Sequence, residues 1–143
     1  YTRSNITVAY FLAKSEPGVY SIDQLEKDGK TTWDGVTNPQ AVKAILSMKP
    51  GDRVFIYHSG GVSAIVGLAK VVGAGRPDPK NAKSAVADLE FAAKLDPPTG
   101  LSDVKQSGKF ADWALVRQSR LSTMAAPETF VEWMRARYPK AKI

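Results

Sequence analysis

Arg53 to Val72 reads RVFIYHSGGVSAIVGLAKVV, and the fold turns on how that stretch is parsed. Two runs rich in β-branched and aromatic residues, Arg53 to His58 and Ala64 to Val72, flank Ser59-Gly60-Gly61-Val62-Ser63. A glycine pair inside a short loop supplies the positive φ angles that a reversal needs, so the stretch predicts a β-hairpin. Sheet is therefore the organising layer.

Upstream, Asn38 is placed as an N-cap with Pro39 at the first helical position. Ala41, Val42, Ile45, Leu46 and Met48 follow at helical spacing, and Lys49-Pro50-Gly51 closes the helix. Ser21 with Gln24 forms a capping-box pattern and predicts a helix over Ile22 to Lys27, stopped by Asp28-Gly29. Ile6 to Leu12 reads as a first strand that runs into Lys14-Ser15-Glu16-Pro17 and a turn fixed by Pro17 and Gly18. Downstream, Gly73 to Asn81 reads as a loop because it holds Gly75, Pro77 and Pro79. Ser84 to Leu95 fits a helix by propensity and an edge strand by alternation, and periodicity does not choose between them. Ser102 can cap a short helical turn through Val104, Trp113 to Met124 reads as a strand, and Pro127 to Tyr138 as an amphipathic helix. Strands with short helices inserted among them place the chain in the α+β class.

With 143 residues, one domain spanning 1–143 is expected. There is no cysteine, which excludes disulfide frameworks, zinc–thiolate sites and thiol nucleophiles. His58 is the single histidine and no carboxylate lies at helical spacing from it, so neither a metal site nor a cofactor is expected. No apolar run approaches the roughly 20 residues of a membrane helix, so the chain is expected to be soluble, intracellular and monomeric. Its first residue is Tyr1, which leads us to expect a segment ahead of it. The formal charge of +6 suits a polyanionic partner, and equally a solvated basic surface. Arg117, Arg120, Arg135, Arg137, Lys140 and Lys142 make the last stretch the most basic.

Three strings, Lys14-Ser15-Glu16-Pro17, Trp33-Asp34-Gly35-Val36-Thr37-Asn38 and Tyr57-His58-Ser59, each join an apolar or aromatic body to short hydrogen-bonding groups at the end of an element. That is the composition of a pocket for a flat polar ligand. Their order and spacing resemble the EVE domain family over roughly residues 9 to 135. Gly67, Val71-Val72, Arg76-Pro77-Asp78-Pro79 and Arg117-Gln118-Ser119-Arg120-Leu121-Ser122 extend the resemblance. It implies a PUA-like fold, a mostly antiparallel β-barrel with short peripheral helices, and it makes Ser84 to Leu95 a strand. It also implies a reader of modified bases, chiefly 5-substituted cytosines in DNA, with relatives that bind RNA or methylated adenine. Two positions depart from the family pattern: Thr37 stands where Arg is common, and Pro39 where an aromatic residue or Lys is. The lost Arg would have been a bidentate donor.

A base drawn out of its strand needs a stacking face and a polar rim. Trp33 is the candidate platform, or else a core tryptophan; Tyr57 is a candidate second wall. Ser15, Asn38 and Ser59, with the backbone N–H groups around Ser15 and Val36, can read a base edge. Asn38 can equally be consumed by its own helix, and Ser59 by the hairpin loop. His58 can bond a phosphate or a base, or serve as a satisfied strand-end residue. Asp34 can accept from an exocyclic amine or cap the turn at Gly35. Lys14 can face a phosphate or water, and Glu16 can pair with Lys14 or Arg120. Arg117, Arg120, Arg135 and Arg137 are the candidate backbone contacts, and on a strand the first two would point to opposite faces. No nucleophile–base pair can be assembled from one histidine and no cysteine, so a non-catalytic nucleic-acid partner domain is expected, for DNA or for RNA.

Overall fold

The hairpin expected at Arg53 to Val72 is present, and it is the middle of a larger sheet. A computed structural model describes residues 8–143; the Ile6–Thr7 start of the first expected strand lies outside them. The strands are β1 (Tyr10–Ser15), β2 (Lys30–Val36), β3 (Arg53–His58), β4 (Ala64–Asp78), β5 (Asn81–Gly100) and β6 (Thr123–Ala125). The helices are α1 (Ile22–Asp28), α2 (Pro39–Leu46), α3 (Leu101–Gln106), α4 (Ala114–Arg117) and α5 (Glu128–Arg137). Among the described residues no helix is long and apolar enough to cross a membrane.

Local chemistry explains the caps. The Ser21 hydroxyl accepts the Gln24 N–H at 3.0 Å and opens α1. The Asn38 side chain accepts from Gln40 and Ala41 at 2.9 and 3.2 Å and opens α2, with Pro39 at its first position. Each satisfies donors that the first helical turn leaves unpaired.

Two sequence expectations are corrected. Gly73 to Asn81 is not a loop: β4 runs to Asp78 and pairs with β5 in a long hairpin, Arg76 opposite Val86 and Pro77 opposite Ala85. The glycines mark close approach within a strand. A Cβ on Gly75 would lie 1.7 Å from the Ile45 carbonyl oxygen of α2, and one on Gly73 would lie 2.1 Å from the Asp88 carboxylate. Trp113 to Met124 is not one strand either, since only Thr123–Ala125 pairs, with Phe11 to Ala13 of β1. The start of that segment is a helical turn in which the N–H groups of Val116 and Arg117 both donate to the Trp113 carbonyl at 3.0 Å. Leu115 is buried from that turn, and the Trp113 indole N–H donates to the Ala125 carbonyl at 2.9 Å, tying the turn to β6. Apolar residues that looked like a strand's inner face are packed by a helical turn instead.

The six strands are ordered β2-β5-β4-β3-β1-β6. β1 and β3 are parallel, from Tyr10 opposite Arg53 to Ser15 opposite His58, and every other pairing is antiparallel. The expected barrel is not closed. β2 and β6 remain the two edges of the sheet. Register slips at several points along the β4–β5 hairpin bend the sheet. Phe55 and Phe130 are fully buried and meet edge-on at 5.2 Å, with Phe110, Trp113 and Trp133 packed around Phe130. α1 lies close on the sheet at Gly67, where any Cβ would strike the Ile22 side chain at 2.2 Å.

Candidate functional site

β6 pairs with Phe11 to Ala13, the Lys14 N–H still donates to the Ser122 carbonyl at 2.8 Å just ahead of β6, and Ser15 carries β1 past that neighbour. The chain then reverses at Glu16, whose carbonyl accepts the N–H groups of Val19 and Tyr20 at 2.9 and 2.8 Å. The Ser15 hydroxyl donates to the Tyr20 carbonyl at 2.7 Å and fixes the end of the turn. Tyr20 meets the Trp33 indole edge-on, with centroids 6.2 Å apart and planes at 84°. On the other side β2 loses register between Trp33 and Val36, where Gly35 takes a φ of 78° that a residue with a side chain resists.

Between these two margins lies a cleft of about 470 Å³, lined by Lys14 and Ser15 of β1, Glu16, Val19 and Tyr20 of the turn, Thr31 to Val36 of β2, and Ser122. The volume falls within the roughly 300–1,000 Å³ usual for small-molecule sites. Of the residues predicted from sequence, Lys14, Ser15, Trp33, Asp34 and Val36 line it. Trp33 is only 8% exposed, so its indole is a wall packed against Tyr20 and not an open platform.

Asn38, Tyr57, His58 and Ser59 do not line the cleft. Asn38 is occupied as the cap of α2. The third string reaches the site indirectly, through the parallel pairing that sets Lys14 beside Tyr57 and Ser15 beside His58. Tyr57 is buried, and the Lys14 ammonium lies 5.3 Å above its ring centre. Ser59 donates its N–H to the Ser15 carbonyl at 2.9 Å. The His58 Nε2 accepts the Ile22 N–H at 3.0 Å, a bond that pins the start of α1. Partial burial holds the His58 pKa below its ordinary value, opposed by the nearby Asp23 carboxylate, and the neutral ring is the form that can accept this bond.

Lys14 is the positive group of the cleft. Its ammonium donates to the Ser119 carbonyl at 3.0 Å, which leaves further protons for a ligand, and burial lowers its pKa. Glu16 and Asp34 are exposed, and among the described residues neither forms an ion pair. The Thr32 hydroxyl donates to Asp88 at 2.8 Å, and the Arg76 guanidinium donates to the same carboxylate oxygen at 3.2 Å. These two hydrogen bonds, Arg76 first, draw the Asp88 pKa down. Among the described residues no three His, Cys, Asp or Glu side chains converge in a metal-like group.

Sequence reasoning missed Val19, Tyr20, Thr31, Thr32 and Ser122. Tyr20 had a usable signal, an aromatic residue just after a Pro-Gly turn; Ser122 had only its place at the end of the Arg117–Ser122 string, which does not say that this distant segment reaches the cleft. The candidate backbone arginines divide. Arg120 is exposed and follows Ser119, whose carbonyl accepts the Lys14 ammonium, and Arg117 is paired with Asp112 at 3.1 Å. Neither lies on a strand. Arg135 donates to Glu128, the Tyr10 hydroxyl and the Ile143 carbonyl, and Arg137 bonds Thr99, pairs with Asp103 and lies 4.7 Å over Trp133. These last two brace α5 against the rest of the molecule.

The EVE domain family model matches residues 9–137. Thymocyte nuclear protein 1 of Rattus norvegicus is 37% identical over an alignment covering 62% of this chain and 45% of that protein. The chain spans about half the length of the curated relatives it matches. Among solved structures, a protein from Agrobacterium tumefaciens superposes with a TM-score of 0.84 at 32% identity, covering 90% of this chain and 92% of that one. Human THYN1, crystallised in complex with DNA containing 5-methylcytosine, superposes with a TM-score of 0.82 at 25% identity, covering 92% and 98%.

Proposed function

The chain belongs to the EVE domain family, and on that premise we propose that it is a non-catalytic nucleic-acid-binding domain that holds one modified base, a 5-substituted cytosine of DNA, in the cleft between β1 and β2. The observation that carries this is the convergence on one cavity of an aromatic wall, a lysine, two exposed carboxylates and several hydroxyls. The likeness to THYN1, crystallised with methylcytosine DNA, supports the reading.

In this reading the base lies against the wall formed by Trp33 and Tyr20. Asp34 and Glu16 are acceptors for an exocyclic amine, and Lys14 is a donor to a ring carbonyl or an adjoining phosphate. Ser15, Thr31 and Ser122 complete the polar rim. Arg120 contacts the backbone beside the cleft, while Tyr57, His58 and Ser59 back Lys14 and Ser15 on the β1 side through the parallel pairing.

The test is a binding panel of oligonucleotides that differ at one cytosine, unmodified, 5-methylated or 5-hydroxymethylated, offered as DNA and as RNA. A preference of about tenfold or more for one modified DNA is expected, which corresponds to about 1.4 kcal/mol. Asp34→Ala should weaken binding to all three cytosine forms alike, since each carries the same exocyclic amine, with the unfolding transition unchanged because Asp34 is exposed. Equal binding to every cytosine form would overturn the proposal, and preference for the RNA series would redirect it to an RNA-binding module.

A further inference from the structure

Val19 is 81% exposed, and it stands at the mouth of the cleft. A single exposed valine is ordinary on a protein surface. This one is held in a fixed position. It follows Pro17 and Gly18 in a turn whose two ends are bonded through the Glu16 carbonyl, and the Ser15 hydroxyl secures the residue after it. Its branched side chain has little rotamer freedom to lose. The structure thus presents a stiff apolar knob beside a cleft with ample room for a base, on a chain of net charge +6.

We propose that Val19 is a wedge that enters a nucleic-acid duplex at the step vacated by the base held in the cleft. The inference rests on the reading of the cleft given above. A base can reach the cleft from a duplex only by leaving its stack, and the gap it leaves exposes the apolar faces of its neighbours. An apolar side chain filling that gap removes those faces from water and slows the return of the base. In a single strand no such gap forms, so the wedge should matter for duplexes alone.

The experiment uses the full chain and one oligonucleotide sequence with a central 5-methylcytosine and 2-aminopurine as its neighbour, both single-stranded and annealed. Unstacking of the neighbour is read as a rise in 2-aminopurine fluorescence, and affinity by anisotropy. Val19→Ala removes two methyl groups from an exposed site, so duplex affinity should fall about tenfold. The fluorescence rise should disappear and single-strand affinity should hold within about twofold of wild type. Val62→Ala is the control, because Val62 is 83% exposed on the β3–β4 loop and does not line the cleft; it should change neither value. Unchanged duplex binding by Val19→Ala, a parallel loss in both strand forms, or an equal loss with Val62→Ala would overturn the wedge. If wild type binds only the single strand, the wedge fails while the base-binding reading stands. If wild type binds neither form, both fail together.

Discussion

His58 couples the site to acidity through a single acceptor. Its Nε2 takes the Ile22 N–H at 3.0 Å, and burial keeps its pKa below the ordinary 6.5 in the folded state. The unfolded chain therefore binds a proton that the folded chain resists, so stability from this residue is complete above about pH 6.5 and falls as the pH drops below it. His58→Phe should cost about 1 kcal/mol at pH 7.5, the net worth of one hydrogen bond. The difference from wild type should shrink toward pH 5.5 in urea titrations, and a difference that grows with acid would contradict the assignment. The same residue shows what sequence could and could not reveal at this scale. Its place at a strand end was legible in Tyr57-His58-Ser59, but its partner on α1 was not, because that contact depends on how closely α1 approaches Gly67. Trp33 lines the cleft, but as a buried wall and not as the open stacking face expected from the sequence, and that burial involves Tyr20, which the chain brings near only through the turn.

At the scale of elements, Gly75 decides how α2 rests on the sheet. Its missing side chain admits the Ile45 carbonyl, which any Cβ would meet at 1.7 Å. Gly75→Ala should therefore destabilise the protein by about 2–3 kcal/mol or more, as overpacking against rigid backbone does, read as a lower urea midpoint with unchanged slope. A loss below about 0.5 kcal/mol would show that α2 is free to move away. This glycine also explains a misreading. Gly73, Gly75, Pro77 and Pro79 carry the composition of a loop, yet the chain stays extended there because β5 supplies a partner that no local pattern announces. Trp113 to Met124 erred in the other direction: β-prone residues were recruited into a helical turn by the aromatic pile around Phe130. Where capping chemistry was local, as at Ser21 and Asn38, the sequence was sufficient.

Across the whole molecule, charge and curvature act together. Most of the excess positive charge lies in the second half of the chain, and Arg120 is the one of the four candidate arginines that follows directly on Ser119, the residue whose carbonyl bonds Lys14 of the cleft. Arg120→Ala should weaken binding to all DNA sequences alike and lower the slope of log affinity against log salt by about 1, measured between 50 and 200 mM salt, a change that marks one lost phosphate contact. A loss confined to modified sequences would place Arg120 in base recognition instead. The open sheet has a mechanical corollary. Its two edge strands are not paired with each other, so the width of the mouth is set jointly by the Tyr20–Trp33 contact across the cleft and by the bend that the slipped register of the β4–β5 hairpin puts into the sheet. The molecule is in this sense a C-clamp, with jaws on β1 and β2 and a spine made of strands that never touch what they grip.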